Sequence, residues 1–308
     1  MPADVLTSRA GWGLMVPPGT VGLAAGAAGL LPVCLTAVAL VLAGAASAGA
    51  QTGDDGWQIG SFPSFSSGRY GGETSTEVLH TPITARRLFA DGDVTLILPH
   101  TCVWGDGGVT VVNGIPVRTE RLERAGTDGT RTERLGEEGA LAGSPRTSSC
   151  GLGDVIVRGR YYVVDGGRVP TVALRAHVKT PTASADRGLG TGQFDEGVGV
   201  EVSQGLGRGT LLMADGGYTV IGDPHGFELD DNWWYDLGVG QDLAGGVVNV
   251  SVFYEWYRAL APGLEDARDV LAALTVRGRG WQVQVAALAG LSDGAPDHGV
   301  TFGASRRF

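Results

Sequence analysis

Residues 298–308 read HGVTFGASRRF. Val300, Phe302 and Ala304 alternate with Thr301, Gly303 and Ser305, which is the two-residue period of a strand with one apolar and one polar side. The pattern runs to an aromatic residue, Phe308, so the fold depends on what the apolar side of this strand touches. The same alternation fills the chain upstream. In DVIVRGRYYVV, Val155, Val157, Gly159, Tyr161 and Val163 oppose Asp154, Arg158, Arg160 and Tyr162. In TVALRAHVKT, Val172, Leu174, Ala176 and Val178 oppose Arg175, His177 and Lys179. In VVNVSVFYEWY, Val248, Val250, Val252, Tyr254 and Trp256 oppose Asn249, Ser251, Glu255 and Tyr257.

The breaks between these runs alternate as well. Short ones sit at Asp91-Gly92, Asp165-Gly166-Gly167, Gly207-Arg208-Gly209, Ala244-Gly245-Gly246 and Gly278-Arg279-Gly280, and they read as hairpin turns. Longer ones, rich in Asp, Pro, Ser and Glu, fall near 67–75, 105–151, 180–193, 222–231, 259–268 and 291–296. Five turns and six loops imply twelve strands, at about 57–66, 76–89, 93–104, 152–164, 168–179, 194–206, 210–221, 232–243, 247–258, 269–277, 281–290 and 298–308. Pro63 and Pro82 interrupt the first two.

Twelve antiparallel strands fit a soluble sandwich or a closed membrane barrel. The polar sides carry Arg, Lys, Asp and Glu repeatedly. The other sides are Val, Leu and Ala, with Trp233, Tyr235, Trp256 and Trp281 near strand ends. Apolar outward, charged inward, aromatic girdles, and short turns opposite long loops describe a transmembrane β-barrel. In hydrocarbon every backbone N–H and C=O needs a partner, so the sheet must close. The expectation is an all-β, closed antiparallel barrel in a bacterial outer membrane. Its last strand would pair with its first, and Phe308 would sit at the periplasmic interface, facing lipid.

The first fifty residues differ from the rest. LLPVCLTAVALVLAGAASAGA is apolar and ends Ala48-Gly49-Ala50, a cleavage pattern for an exported protein. Residues 1–50 are therefore expected to be a signal peptide and 51–308 the barrel. A transmembrane anchor is the alternative, and Pro32-Val33 before Cys34 does not suit a lipoprotein signal. Net charge is −10, and the absence of a basic stripe argues against nucleic acid. Export leaves Cys102 and Cys150, at the end of the third strand and before the fourth. Oxidised, they would close the base of the 105–151 loop and stabilise by ~4 kcal/mol in the chain-entropy model. Inside that loop, VTVVNGIPV carries the hairpin signal Asn113-Gly114.

From about residue 152 the chain resembles the outer-membrane transporter family named for the meta-cleavage pathway of phenol degradation. The resemblance rests on Thr180-Pro181-Thr182-Ala183-Ser184, Gly188-Leu189-Gly190-Thr191-Gly192, Asp195, Gly222-Asp223-Pro224, and Ser292-Asp293-Gly294-Ala295-Pro296-Asp297. It implies an outer-membrane barrel for passive, porin-like uptake of small molecules, hydrophobic or aromatic compounds among them. The terminal Phe308 is similar to the signal read by barrel-assembly machinery. Lipid and lipopolysaccharide complete the expected partners. No cofactor is implied.

Candidate functional residues lie on the polar strand faces. Arg158, Arg160, Arg175, His177 and Lys179 fall on two adjacent strands, and Glu201, Asp215, Asp236, Glu255 and Asp269 on later ones. A basic wall facing an acidic one would orient polar solutes in the lumen. The structural alternative is neutralisation by cross-strand pairs, such as Arg175 with Glu201. Asp223, Glu228, Asp230 and Asp231 in GDPHGFELDDN could hold calcium, but their spacing is not that of a calcium loop, so no metal is assigned. His80, His100, His177, His225 and His298 are the candidates for a rim hydrolase. None has a recognisable nucleophile setting. A channel is therefore favoured over a non-transporting structural or ligand-binding barrel, and over an enzyme.

Overall fold

The computed structural model describes residues 55–70, 74–105, 109–112, 115–118, 147–164, 169–224, 229–260 and 264–308. The expected signal at 1–50, and with it His225, Glu228 and Asn113-Gly114, lie outside the described residues. Among the described residues, twelve staves form one closed antiparallel wall. The first stave is β1 (Gly56–Ser61) and β2 (Ser64–Gly68), followed by β3 (Thr76–Phe89) and β4 (Gly92–Gly105). A separate hairpin, β5 (Val109–Val112) with β6 (Ile115–Arg118), leads to the fourth stave, β7 (Thr147–Leu152) and β8 (Ile156–Val164). Then come β9 (Thr171–Lys179), β10 (Asp195–Gly207), β11 (Thr210–Val220) and β12 (Asn232–Leu243). The last four are β13 (Val248–Tyr257), β14 (Ala267–Gly278), β15 (Trp281–Gly290) and β16 (His298–Arg307).

Closure is made by β16, which pairs with β1 from Gln58↔Arg307 to Ser61↔Ala304 and with β2 from Ser64↔Thr301 to Ser67↔His298. Between these ladders lies Phe62-Pro63. Pro63 has no N–H to give, but its carbonyl accepts from Phe302 N at 3.2 Å. A second weak spot follows, where Pro82 of β3 and Pro99 of β4 face each other in register. Ser61 Oγ donates to the Pro82 carbonyl at 2.8 Å and Gly153 N to that of Pro99 at 2.9 Å. A carbonyl left bare in hydrocarbon costs several kcal/mol, so each patch matters.

The fourth stave is broken at 153–155, and residues of the 180–193 loop fill the gap. Thr182 Oγ1 accepts from Val155 N at 2.8 Å and donates to the Gly153 carbonyl at 3.1 Å, while Thr180 N donates to the Val155 carbonyl at 2.8 Å. The long loop expected at 105–151 is shorter than its sequence bounds. β4 and β7 continue pairing from Thr101↔Gly151 to Gly105↔Thr147, so the wall rises further on this side. In that extension Cys102 and Cys150 are register partners and are joined by a disulfide.

Side chains sort as the alternation requires. Val157, Tyr161, Leu174, Val198, Val200, Val252, Val285 and Phe302 are exposed on the outside. Tyr218 with Trp233, and Tyr235 with Trp256, form aromatic contacts at 4.7 and 5.2 Å near the long-loop end. At the short-turn end, Arg87 lies over the rings of Trp57 and Phe89 at 5.8 and 5.5 Å. These are the two interfacial belts of a membrane barrel. The two-residue turn between β10 and β11 shows why glycine is needed. Gly209 has φ +83, and a Cβ there would stand 2.6 Å from the Asp242 carbonyl oxygen.

Candidate functional site

Cross-strand register places the lumen side chains in oblique rows. One row is Glu201, Asp215, Asp236, Glu255 and Asp269, each the direct partner of the next across β10 to β14. These are the five acidic residues expected on the polar faces. Neighbouring Cβ atoms in such a row stand about 5 Å apart, so the charges must be compensated or repel. The expected basic residues compensate only the lower two. Arg160 chelates Glu201 through both carboxylate oxygens at 3.0 Å, and Arg175 pairs with Asp215. The pair Arg175–Glu201 does not form. Register sets Ala173 opposite Glu201 and Gly199 opposite Arg175, so Arg175 meets a different carboxylate from the one expected.

The structure adds a partner that the strand faces had not flagged. Asp93 of β4 accepts from Arg86 Nη2 at 2.6 Å and from Arg160 Nε at 2.9 Å. Arg160 is thus held between Asp93 and Glu201, almost fully buried, and Arg175 stacks over Trp234 at 5.3 Å. A basic wall facing an acidic wall is therefore only half realised, because ion pairs bridge the lower lumen. His177 lies over Gly197 beside Thr219. Arg158, its register partner, has a buried Nε without a hydrogen-bond acceptor.

Lys179 faces inward as expected but serves the loops. Its Nζ lies 3.1 Å from Asp154 Oδ2, 2.9 Å from Asp195 Oδ2 and 3.0 Å from Thr191 Oγ1, and the residue is 1 % exposed. Asp195 Oδ1 accepts from Gly222 N at 3.0 Å, and Asp154 Oδ1 from Ala183 N at 2.9 Å. A Cβ on Gly190 would lie 2.6 Å from Asp154 Oδ2. Of the motif residues, Thr191 and Asp195 therefore contact the buried ammonium directly, and Ala183, Gly190 and Gly222 adjoin it through Asp154 and Asp195. Pro181 and Gly192 lie in the same loop, Gly192 with φ +71.

The other motif segments also close loops. Asp223 Oδ1 caps Leu229 N at 2.8 Å, and Pro224 follows it. Asp231 accepts from Ile221 N at 3.1 Å, and Asp230 lies 3.7 Å from Arg258. Ser292 Oγ donates to the Asp266 carbonyl at 2.7 Å and accepts from Arg268 N at 2.9 Å. Asp293 N donates to Glu265, Gly294 packs against the 265–267 backbone, and Asp297 reaches Arg69 at 3.9 Å.

Two apolar clusters occupy the inner faces, and neither followed from alternation. Phe253, Leu271, Ala273, Ala286 and Leu288 pack together with Met213 on β11 to β15. At the long-loop end Val78 and Val103 pack with Val111 of the β5–β6 hairpin and with Ala183 and Leu189. Val111 N donates to the Gly188 carbonyl at 3.1 Å, tying the hairpin to the motif loop. Below these clusters a cavity of about 740 Å³ opens toward the short turns. Arg86, Arg158, Arg160, Arg175, Arg208, Arg277 and Arg307 line it against Asp93, Glu201 and Asp242. The described histidines do not assemble a nucleophile. His80 Nδ1 contacts Thr101 Oγ1 at 3.1 Å inside the wall, His100 faces outward, and His298 is exposed.

Among solved structures, the fold is similar to the COG4313 outer membrane channel from Pseudomonas putida F1. The TM-score is 0.59 at 11 % identity, covering 84 % of this chain and 97 % of that one. Weaker likenesses include the CymD monoaromatic hydrocarbon channel, at TM-score 0.42 and 10 % identity over 84 % of this chain and 80 % of that one. The KdgM porin in complex with disordered oligogalacturonate gives TM-score 0.42 and 8 % identity over 82 % and 99 %. No curated protein matches the sequence. A closed wall with a lipid-facing exterior places the chain in the bacterial outer membrane. The model of the family described as putative MetA-pathway of phenol degradation matches residues 120–308, beginning upstream of the motifs quoted above, and the chain belongs to that family.

Proposed function

We propose that the barrel is a passive channel for small molecules. The observation that supports this most is the cavity of about 740 Å³ inside a closed wall, open at the short-turn end and lined by more arginines than carboxylates. Such a vestibule favours solutes that carry an acidic or other electron-rich group on a small body. The family's description suggests aromatic compounds as the class to test first. No energy source is required for this role. Export by a signal at 1–50, assembly through Phe308, and lipopolysaccharide around the long-loop rim belong to the same reading.

The test is flux through purified protein in liposomes, by swelling assay with neutral, anionic and cationic monoaromatic solutes, and by planar-bilayer conductance. Solute-dependent swelling is the expected result. Absence of both flux and conductance would favour a non-transporting barrel. That second reading has its own support, since the cluster of Val78, Val103, Val111, Ala183 and Leu189 covers part of the long-loop end from inside.

A further inference from the structure

Among the described residues, the ion pairs of the lower lumen leave out Arg158. Asp93 is taken up by Arg86 and Arg160, and Glu201 by Arg160. Arg175 contacts Asp215 and also acts on Asp236. Glu255 and Asp269 hydrogen-bond each other, and Asp242 pairs with Arg277. Every one of these carboxylates is therefore engaged elsewhere. Arg158 makes no ion pair among the described residues, and its buried Nε has no hydrogen-bond acceptor. Register sets it between Thr95 and His177. The like charges of Arg175 and Arg160 act against its own, and Asp93 attracts it only from beyond contact distance. A cation withdrawn from water without a counter-charge forfeits its desolvation cost, so Arg158 calls for a negative guest.

The surroundings make that guest reachable and bound its size. Arg158 is only partly buried and borders the cavity of about 740 Å³ that opens toward the short turns. Nearer the mouth, Arg208, Arg277 and Arg307 border the same cavity, with Asp242 beside Arg277. A cleft walled mainly by one sign of charge draws the opposite sign inward, here toward Arg158. The volume falls in the range of small-molecule sites, so it admits an organic anion and not merely a halide. Leu88, also partly buried, gives the same cavity an apolar stretch of wall. One uncompensated guanidinium matches one negative charge, and its planar face of donors suits a carboxylate through charge-assisted hydrogen bonds.

We infer that Arg158 is the residue that binds the carboxylate of a small organic monoacid inside this cavity. The inference rests on the channel reading for access of the solute to the lumen, but its test does not require flux. Detergent-solubilised full-length protein is titrated calorimetrically with benzoate, benzyl alcohol and benzylammonium. These share one ring and differ in the charge of the head group. The titration is run at about pH 7, above the carboxylate range, so that the acid is ionised. Benzoate alone of the three should bind. Arg158→Gln should weaken it by about tenfold or more, as expected for losing charge-assisted bonds, and Arg158→Met should do the same. Both substitutions remove a charge that has no ion-pair partner among the described residues, so the barrel should stay folded. Gel migration of boiled against unboiled samples checks this. Arg69→Gln, beside Asp297 on the long-loop rim, should leave binding unchanged. Three results overturn the inference: equal binding of the alcohol, benzoate binding unaltered in a folded Arg158 variant, or displacement of benzoate by an equal concentration of chloride. Binding without flux would sink the channel reading while leaving the site standing. Benzoate flux that is the same in the parent and in Arg158→Gln would do the reverse.

Discussion

Phe308 and Trp57 exchange both of their backbone hydrogen bonds, Trp57 N donating to Phe308 O at 3.2 Å and Phe308 N to Trp57 O at 2.8 Å. The last residue therefore belongs to the seam that closes the barrel. Along this seam Gly303 has no room for a side chain. A Cβ there would stand 2.5 Å from both the Phe62 Cα and the Ser61 carbonyl oxygen. Gly303→Val should obstruct closure, costing about 1–3 kcal/mol by overpacking and lowering the folded yield. Gly159→Ala is the control, since nothing lies within 4 Å of a Cβ there. Heat-modifiable gel migration after refolding into detergent compares them, and equal yields would refute the assignment of the seam.

Much of this seam was legible in the alternation of residues 298–308, because a strand with one face in lipid must keep strict parity. The twelve strand spans followed from the same rule and from the Gly-rich turns. Pairing partners in the lumen did not. Parity says that Arg175 and Glu201 both face inward, whereas only the stagger between β9 and β10 says that they do not meet. Asp93 and Arg86 went unnoticed because they lie near the turn that joins two proline-containing strands. Phe253 and Leu271 share the parity of Glu255 and Asp269, so alternation sets them inward, but only cross-strand register shows that they pack together.

Lys179 carries the motif loops, and its removal has a defined cost. Lys179→Met leaves Asp154 and Asp195 buried without their cation, a loss of about 3–5 kcal/mol for breaking a buried pair. Unfolding in guanidinium with detergent present should show the drop. Adding Asp154→Asn and Asp195→Asn to the same variant should restore a good part of it, because no unpaired charge then remains. A variant as stable as the parent would show that the loops hold by packing alone.

The disulfide between Cys102 and Cys150 closes a sequence separation of 48 residues. The chain-entropy model gives about 4 kcal/mol for a loop of that size. Because β4 and β7 pair on both sides of the bridge, the loss on reduction should appear first at this end of the wall. Hydrogen exchange of 101–105 and 147–151 with and without reductant measures it. Protection unchanged by reduction would mean that backbone pairing alone holds the extension.

The inner cluster at the long-loop end makes a prediction about conductance. Leu189 is 2 % exposed and Val111 7 % exposed, and both lean on Val78 and Val103 from the lumen side. Their side chains make none of the wall's hydrogen bonds, which run between staves and, at 153–155, to Thr180 and Thr182. Leu189→Ala removes the bulkiest contact of the motif loop, at about 2–5 kcal/mol for a buried leucine, and should free the β5–β6 hairpin from the Gly188 carbonyl. The expected result in planar bilayers is a larger and noisier single-channel current, with barrel stability in detergent little changed. A current identical to that of the parent would place the cluster beside the solute path, not across it. A fall in barrel stability of the size expected for Lys179→Met would show instead that the loop and the wall unfold together.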